Sequence, residues 1–259
     1  MRDHGVEVIG PVLEKECQEL VSDFCSWQIQ KRPYVYLKMA TTLDGRIATR
    51  TGHAQWISGC ESRRDVHRLR AQIGHAHGAI LIGGNTFRQD NPSLTWRDLE
   101  ETAPQPKAII LTSHLPDPSE PYTLLKERPK DTIFCTPEDN CATPLAQKLM
   151  ELGVSLVPYT SSLASLFQTL LTTYNIPYIL CEGGGKLALS LLKQNLVDTL
   201  TLYVAPLILA DNAATPLFTG LSPNTLSDGL RFEMHNFKRL DQDLKITLKP
   251  VPQFFKSPT

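Results

Sequence analysis

From Tyr34 onward the chain alternates short β-rich runs with helical segments, and this alternation limits its architecture more than any other feature. Runs at Tyr34–Met39, Ala79–Ile82, Ala108–Leu111, Thr132–Cys135, Ser155–Val157, Tyr178–Cys181 and Thr199–Val204 read as strands. Cys60–Ile73, Pro144–Leu152, Leu163–Tyr174 and Gly185–Gln194 read as helices between them. Strands joined by helical crossovers predict an α/β fold with a mostly parallel sheet flanked by helices. Two late runs, Arg231–Lys238 and Leu244–Lys249, lie too close in sequence for a crossover. They predict a C-terminal antiparallel hairpin closing one edge. Upstream, Leu13, Cys17, Leu20, Val21 and Phe24 recur at helical spacing, so an amphipathic helix is predicted over Glu14–Cys25 before Lys31-Arg32-Pro33 breaks the pattern.

Composition removes several function classes. The 259 residues can bury a substantial core as one large or two small domains. Basic and acidic side chains number 26 and 27, which argues against nucleic acid as a partner. No apolar run approaches the ~20 residues of a bilayer span. Asp3, His4 and Glu7 interrupt the start of the chain, so no secretory signal is read there. The six cysteines show no CxxC spacing and read as unpaired thiols of a cytoplasmic protein, with no metal site.

Four stretches carry chemistry. In Leu180-Cys181-Glu182-Gly183-Gly184-Gly185-Lys186 a strand stops at three glycines before an apolar helix. Glycines let a ligand approach the backbone, and a helix N-terminus favours anions. The alternative is a tight turn with a solvated acid at Glu182. In Ile82-Gly83-Gly84-Asn85-Thr86 a second strand ends the same way, and the two turns together suit a dinucleotide. Asp90, Leu94 and Arg97 follow in a loop, where Arg97 suits bidentate phosphate recognition or is a solvated surface residue. In Gln55-Trp56-Ile57-Ser58-Gly59-Cys60-Glu61, Ser58 and Glu61 have capping-box spacing. Beyond them, Val66, Leu69 and Ile73 form a buried stripe, and Arg63, His67 and Arg70 share another face. Finally, Lys38 lies among apolar strand neighbours, so it is paired, functional, or on an exposed edge.

LKMATTLDGRIA, QWIS with RRDVHRLRA, AILIGGNTFRQDNPSLTWR and ILCEGGGKLALSLLKQNLVDTLTLYVAPLIL occur in this order. Together they resemble the reductase domain of the bifunctional riboflavin-biosynthesis deaminase/reductase family, over roughly residues 32–218 and more weakly to the end. The resemblance implies a dihydrofolate-reductase-like fold, usually a homodimer, and NADPH-dependent reduction of 5-amino-6-(5-phosphoribosylamino)uracil to its ribityl product. It implies that Ala40, Trp56, Thr86, Asp90, Ser113, Gly184, Gly185, Lys186 and Leu187 hold the cofactor. It assigns Ala54, Arg70, Leu94, Arg97 and Glu182 to the phosphoribosyl pyrimidine substrate. Lys38 is the candidate for polarising or protonating the ring-opening centre, and Glu182 joins it as a catalytic candidate.

Three positions depart from the family's pattern: Ala54 replaces a Ser, Asn91 a second Asp, and Thr112 an Asp before Ser113. Residues 5–17 resemble the tail of the family's deaminase domain, but the zinc deaminase motif is missing. On this reading residues 1–30 are a remnant of that tail and its linker, and 31–259 form the reductase domain. Two other functions remain open: a related NADPH reductase of another pterin- or pyrimidine-like substrate, and a non-catalytic paralogue.

Overall fold

The computed structural model describes residues 1–251 apart from Val8, Glu101 and Ser161, so the end of the 31–259 segment lies outside the described residues. In chain order the elements begin with α1 (Glu14–Leu20), α2 (Ser22–Gln28), β1 (Tyr34–Thr42) and β2 (Arg46–Ala48). Next come α3 (Cys60–His75), β3 (Ala79–Gly83), α4 (Gly84–Asp90), β4 (Lys107–Leu111), α5 (Thr123–Glu127) and β5 (Thr132–Thr136). Then follow α6 (Glu138–Cys141), α7 (Pro144–Glu151), β6 (Ser155–Pro158), α8 (Leu163–Thr172) and β7 (Tyr178–Cys181). The chain continues through α9 (Gly185–Lys193), β8 (Thr199–Ala205) and β9 (Thr215–Pro216) to the hairpin of β10 (Phe232–Leu240) and β11 (Asp243–Pro250).

Nine strands form one sheet in the order β10-β11-β8-β1-β7-β3-β4-β5-β6. The seven from β8 to β6 are parallel, and the hairpin adds to β8 antiparallel. The predicted strands and the four predicted helices between them are present with small shifts of their ends; β1 runs on furthest, to Thr42. Each face of the sheet carries its own core. Leu37, Leu81 and Ile179 meet Phe167, Leu170, Ala188 and Leu191 of α8 and α9 on one side. Ile80, Ile82 and Ile110 meet Ile73, Phe87, Leu124 and Leu149 on the other. Alternating side chains that are apolar on both faces are what a doubly covered parallel sheet requires.

Strand order positions the site. β3 and β7 are neighbours, yet the chain leaves β3 toward β4 and leaves β7 toward β8, on the opposite side. Their carboxyl ends therefore flank a crevice at a topological switch point, where α/β folds bind ligands. α4 departs from that crevice over one face and α9 over the other.

Two local expectations are corrected. The predicted helix over Glu14–Cys25 is broken at Val21 (φ −109°, ψ 20°) into α1 and α2. Ser22 turns its hydroxyl onto the Glu19 carbonyl (2.9 Å), a local bond that competes with helix continuation. The capping box does not form, because the helix starts one residue later, with Gly59 at its N-cap and no side-chain cap. The Gly59 N–H instead donates to the Asp243 carboxylate at 2.7 Å, so the C-terminal hairpin caps α3 from a distance.

The N-terminal helices are anchored to the sheet. The Trp27 indole N–H donates to the Pro177 carbonyl (2.8 Å), and the Tyr178 hydroxyl to Asp23 (2.5 Å). Arg32 clasps Asp198 with two bonds of 2.7 and 2.8 Å, and Asp198 also accepts the Val35 N–H at 2.7 Å.

Candidate active site

The two strand-Gly-Gly-helix turns meet in the crevice. A Cβ at Gly183 would lie 3.2 Å from the Gly83 nitrogen, and one at Gly184 would lie 3.7 Å from Thr86 Oγ1. A methyl at Gly183 would crowd this approach and push the Leu187 side chain, 2.8 Å away, aside. Gly185 is more constrained, because its Cβ would lie 2.2 Å from the Leu217 carbonyl oxygen, a backbone atom. Gly83 differs: a Cβ there meets nothing within 4 Å. The first turn of α9 has no side-chain cap, which leaves its N–H groups available to an anion. Thr86, Gly184, Gly185 and Leu187 are thus brought together, and Lys186 beside them is exposed.

Next to the crevice lies a compact charged group. Glu182 follows directly on β7 and takes a forked pair of bonds from Arg70 of α3, Nε to Oε1 at 2.7 Å and Nη2 to Oε2 at 2.9 Å. The Arg70 and Glu182 side chains are only 15% and 9% exposed. Arg70 Nη1 also donates to the Thr95 carbonyl at 2.8 Å, tying the loop after α4 to the pair. Burial alone would raise the Glu182 carboxyl, but Arg70, then Lys38 and His67, outweigh it and hold it below the usual carboxylate range. Lys38, on β1, is lowered from the ordinary lysine value by burial and by Arg70, with Glu182 opposing. A buried ammonium poised to lose its proton more readily is a group able to hand one over.

The remaining candidates spread around this centre. Arg97 is 57% exposed and lies 3.7 Å from Asp98, so its guanidinium stays accessible. His67 is lowered by burial and by the Arg70 and Arg97 charges. Ser113 is exposed; its hydroxyl bonds the His114 ring at 2.8 Å and its carbonyl accepts from Asn140. Trp56 is exposed, with the Arg63 guanidinium 4.6 Å from its ring centre. Ala54 is exposed and Ala40 half-buried on β1. Asp90 closes α4, and burial raises its carboxyl. Leu94 is 2% exposed, and its side chain belongs to the core with Phe87 and Leu124, so only its backbone is left to touch a ligand.

Two of the departures from the family's pattern gain a reason. Asn91, in the left-handed region at φ 40°, accepts the Thr123 N–H at 2.7 Å and donates to the Pro121 carbonyl at 3.1 Å. A carboxylate has no N–H to give and would lose the second bond. Thr112 Oγ1 accepts from Arg88 at 3.1 Å and donates to the His114 carbonyl at 2.9 Å, a role that also needs a hydroxyl proton.

Sequence reading passed over two residues in contact with this centre. Tyr203 of β8 is completely buried, with the Lys38 Nζ 5.6 Å from its ring centre, and its hydroxyl donates to Asp65 of α3 at 2.7 Å. The signal was present in the buried stripe of α3, where Asp65 sits beside Val66.

Residues 33–246 match the RibD C-terminal domain. Riboflavin biosynthesis protein RibD of Aquifex aeolicus is 33% identical over 249 residues, covering 96% of this chain and 67% of that protein. The chain spans about two thirds of the length of the curated relatives it matches. Among solved structures, Acinetobacter baumannii RibD (form 1) is 31% identical with a TM-score of 0.80, over 97% of this chain and 67% of that one. The Thermotoga maritima diaminohydroxyphosphoribosylaminopyrimidine deaminase/5-amino-6-(5-phosphoribosylamino)uracil reductase is 28% identical with a TM-score of 0.76, over 96% and 66%. The matched region runs well past residue 218 and takes in β10 and the first half of β11.

Proposed function

The chain belongs to the RibD C-terminal domain family, and on that premise we propose that it is the reductase of riboflavin biosynthesis, reducing 5-amino-6-(5-phosphoribosylamino)uracil with NADPH. The observation that carries this reading is the juxtaposition of paired glycine turns at a switch point with the buried Lys38–Glu182–Arg70 group. The name of the Thermotoga maritima relative, which includes the uracil reductase, supports the substrate.

The crevice fits a dinucleotide, since Gly83 leaves open space and α9 has an uncapped first turn. Gly184, Gly185, Lys186 and Leu187 would hold its pyrophosphate, with Thr86, Ala40, Trp56, Asp90 and Ser113 around the rest. When bound, the nicotinamide supplies the reducing equivalent. This chain's part is to orient the opened ribosyl group and to handle protons. Lys38 donates toward the ring oxygen or imine nitrogen as C1′ becomes electrophilic. Glu182 keeps Lys38 charged and accepts from a ribose hydroxyl. Arg70 uses its fork to fix Glu182, so the substrate phosphate falls to the exposed Arg97. A homodimer acting in the cytoplasm completes the reading.

The decisive experiment follows NADPH absorbance with the phosphoribosyl pyrimidine and with dihydrofolate in parallel. Turnover of the first alone is expected; turnover of dihydrofolate alone would transfer the chain to another reductase class, and no turnover with no cofactor binding would make it a non-catalytic paralogue. Gly83→Ala is expected to fold normally and to weaken NADPH binding about tenfold, the effect of roughly 1.4 kcal/mol of overpacking. Fluorescence titration checks it, and an unchanged Kd would remove the Gly83 turn from the cofactor site. Arg97→Ala should raise the substrate KM about tenfold or more, the loss of one charge-assisted contact, with little change in the cofactor Kd. Steady-state kinetics at fixed ionic strength would show it, and an unchanged KM would take Arg97 out of phosphate binding.

A further inference from the structure

Lys38, Tyr203 and Lys245 stand in a row across three adjacent strands. Tyr203 is the register partner of Ala40 on β1 and of Lys245 on β11. Lys38 is therefore two residues along β1 from Tyr203's partner and on the same face of the sheet. The ring lies between two ammonium groups, 5.6 Å from Lys38 Nζ and 5.7 Å from Lys245 Nζ. The ring is anchored at its far end, because its hydroxyl donates to Asp65 Oδ2 at 2.7 Å. Asp65 is anchored in turn by Lys245 at 2.6 Å and, more loosely, by Lys238 at 3.5 Å. Four elements, α3, β8, β10 and β11, thus converge to hold one aromatic ring in place.

We propose that Tyr203 is the positioning residue of Lys38, its immobilised ring face seating the ammonium so that it points at the reacting centre. The inference rests on the proposed role of Lys38. The charges acting on that ammonium, Glu182 and Arg70, lie on the crevice side, and the neutral Tyr203 ring meets it from the hairpin side. Asp65 pairs with Lys245 at 2.6 Å and so offsets the repulsion of that cation for Lys38 across the ring. A ring within ~6 Å of a desolvated ammonium stabilises its charged form. Tyr203 thus opposes the burial that pulls the Lys38 proton off, and fixes the direction in which it is offered.

The test varies the ring's electrons at constant shape. Tyr203→Phe and Tyr203→trifluorophenylalanine, the latter introduced by codon suppression, fill the same volume with a normal and an electron-poor ring. Lys38 is followed by heteronuclear NMR of 13C-lysine-labelled protein, its resonance assigned by its absence in Lys38→Met. The trifluorinated ring is expected to lower the Lys38 pKa by about one unit relative to Tyr203→Phe. It should also move the basic limb of kcat down by the same amount while leaving KM for NADPH unchanged. Lys38 titrations that coincide in the two variants would overturn the proposal. If the titration moves but Lys38→Met turns over normally, the seating of Lys38 stands and its catalytic role fails.

Discussion

Lys38→Met should lower kcat about 10²–10³-fold while changing KM for substrate far less, the pattern of an interaction made chiefly in the transition state. Methionine matches the aliphatic stem of lysine and removes only the proton-bearing end, so the cofactor crevice is untouched. Melting temperature and NADPH affinity should stay near those of the parent protein. The wild-type pH profile should carry the same signature. Because burial and Arg70 lower the Lys38 pKa from 10.5, activity should fall on the basic side at a pH below that of free lysine. The Lys38→Met profile should lack that limb. Stopped-flow measurement of NADPH consumption at saturating substrate gives the first number, and a kcat within twofold of wild type would exclude Lys38 from the chemistry.

Arg70→Ala should be the most destabilising substitution at the site. It strips a buried carboxylate of its forked partner, and breaking such a pair costs about 3–5 kcal/mol. Lys38 remains as a second counter-charge, which places the value near the lower end. Glu182 titrates below the usual carboxylate range in the folded protein. The stability this contributes is complete above the unfolded glutamate pKa and disappears as pH falls through the lowered one. The gap between wild type and Arg70→Ala should therefore be full at neutral pH and narrow in acid. Urea unfolding across that range measures it; a gap that is small at neutral pH, or that widens in acid, would show that the Arg70–Glu182 pair does not carry this energy.

How far the sequence was legible depended on the distance over which each residue acts. The strands and most helices were legible because their signals repeat every two or three to four residues. β2 and β9, of three and two residues, carry no such period. Lys38 and Glu182 stood out because a charge among apolar strand residues, or at a strand end beside glycines, already needs a partner. Their partners did not stand out. Arg70 looked like one of a basic trio on α3, yet its fork closes on a residue 112 positions away. Asp65 and Tyr203 are 138 positions apart, and the lysines that complete their network lie 173 and 180 positions from Asp65. The capping box shows the opposite failure: the local pattern was present, but Asp243, distant in sequence, claimed the helix end one residue later.

The clasp of Arg32 on Asp198 has a practical consequence for where this domain begins. The match to the RibD C-terminal domain starts at residue 33, one residue after the guanidinium that pairs with Asp198. A version of the chain starting at Pro33 would leave a carboxylate that is only 14% exposed facing the Val35 N–H without its cation. It would also uncover the Tyr178 ring, against which Trp27 packs edge-on at 5.1 Å. The span of the family's domain and the unit that holds itself together therefore differ by one helix, and an excised domain should be cut ahead of α2.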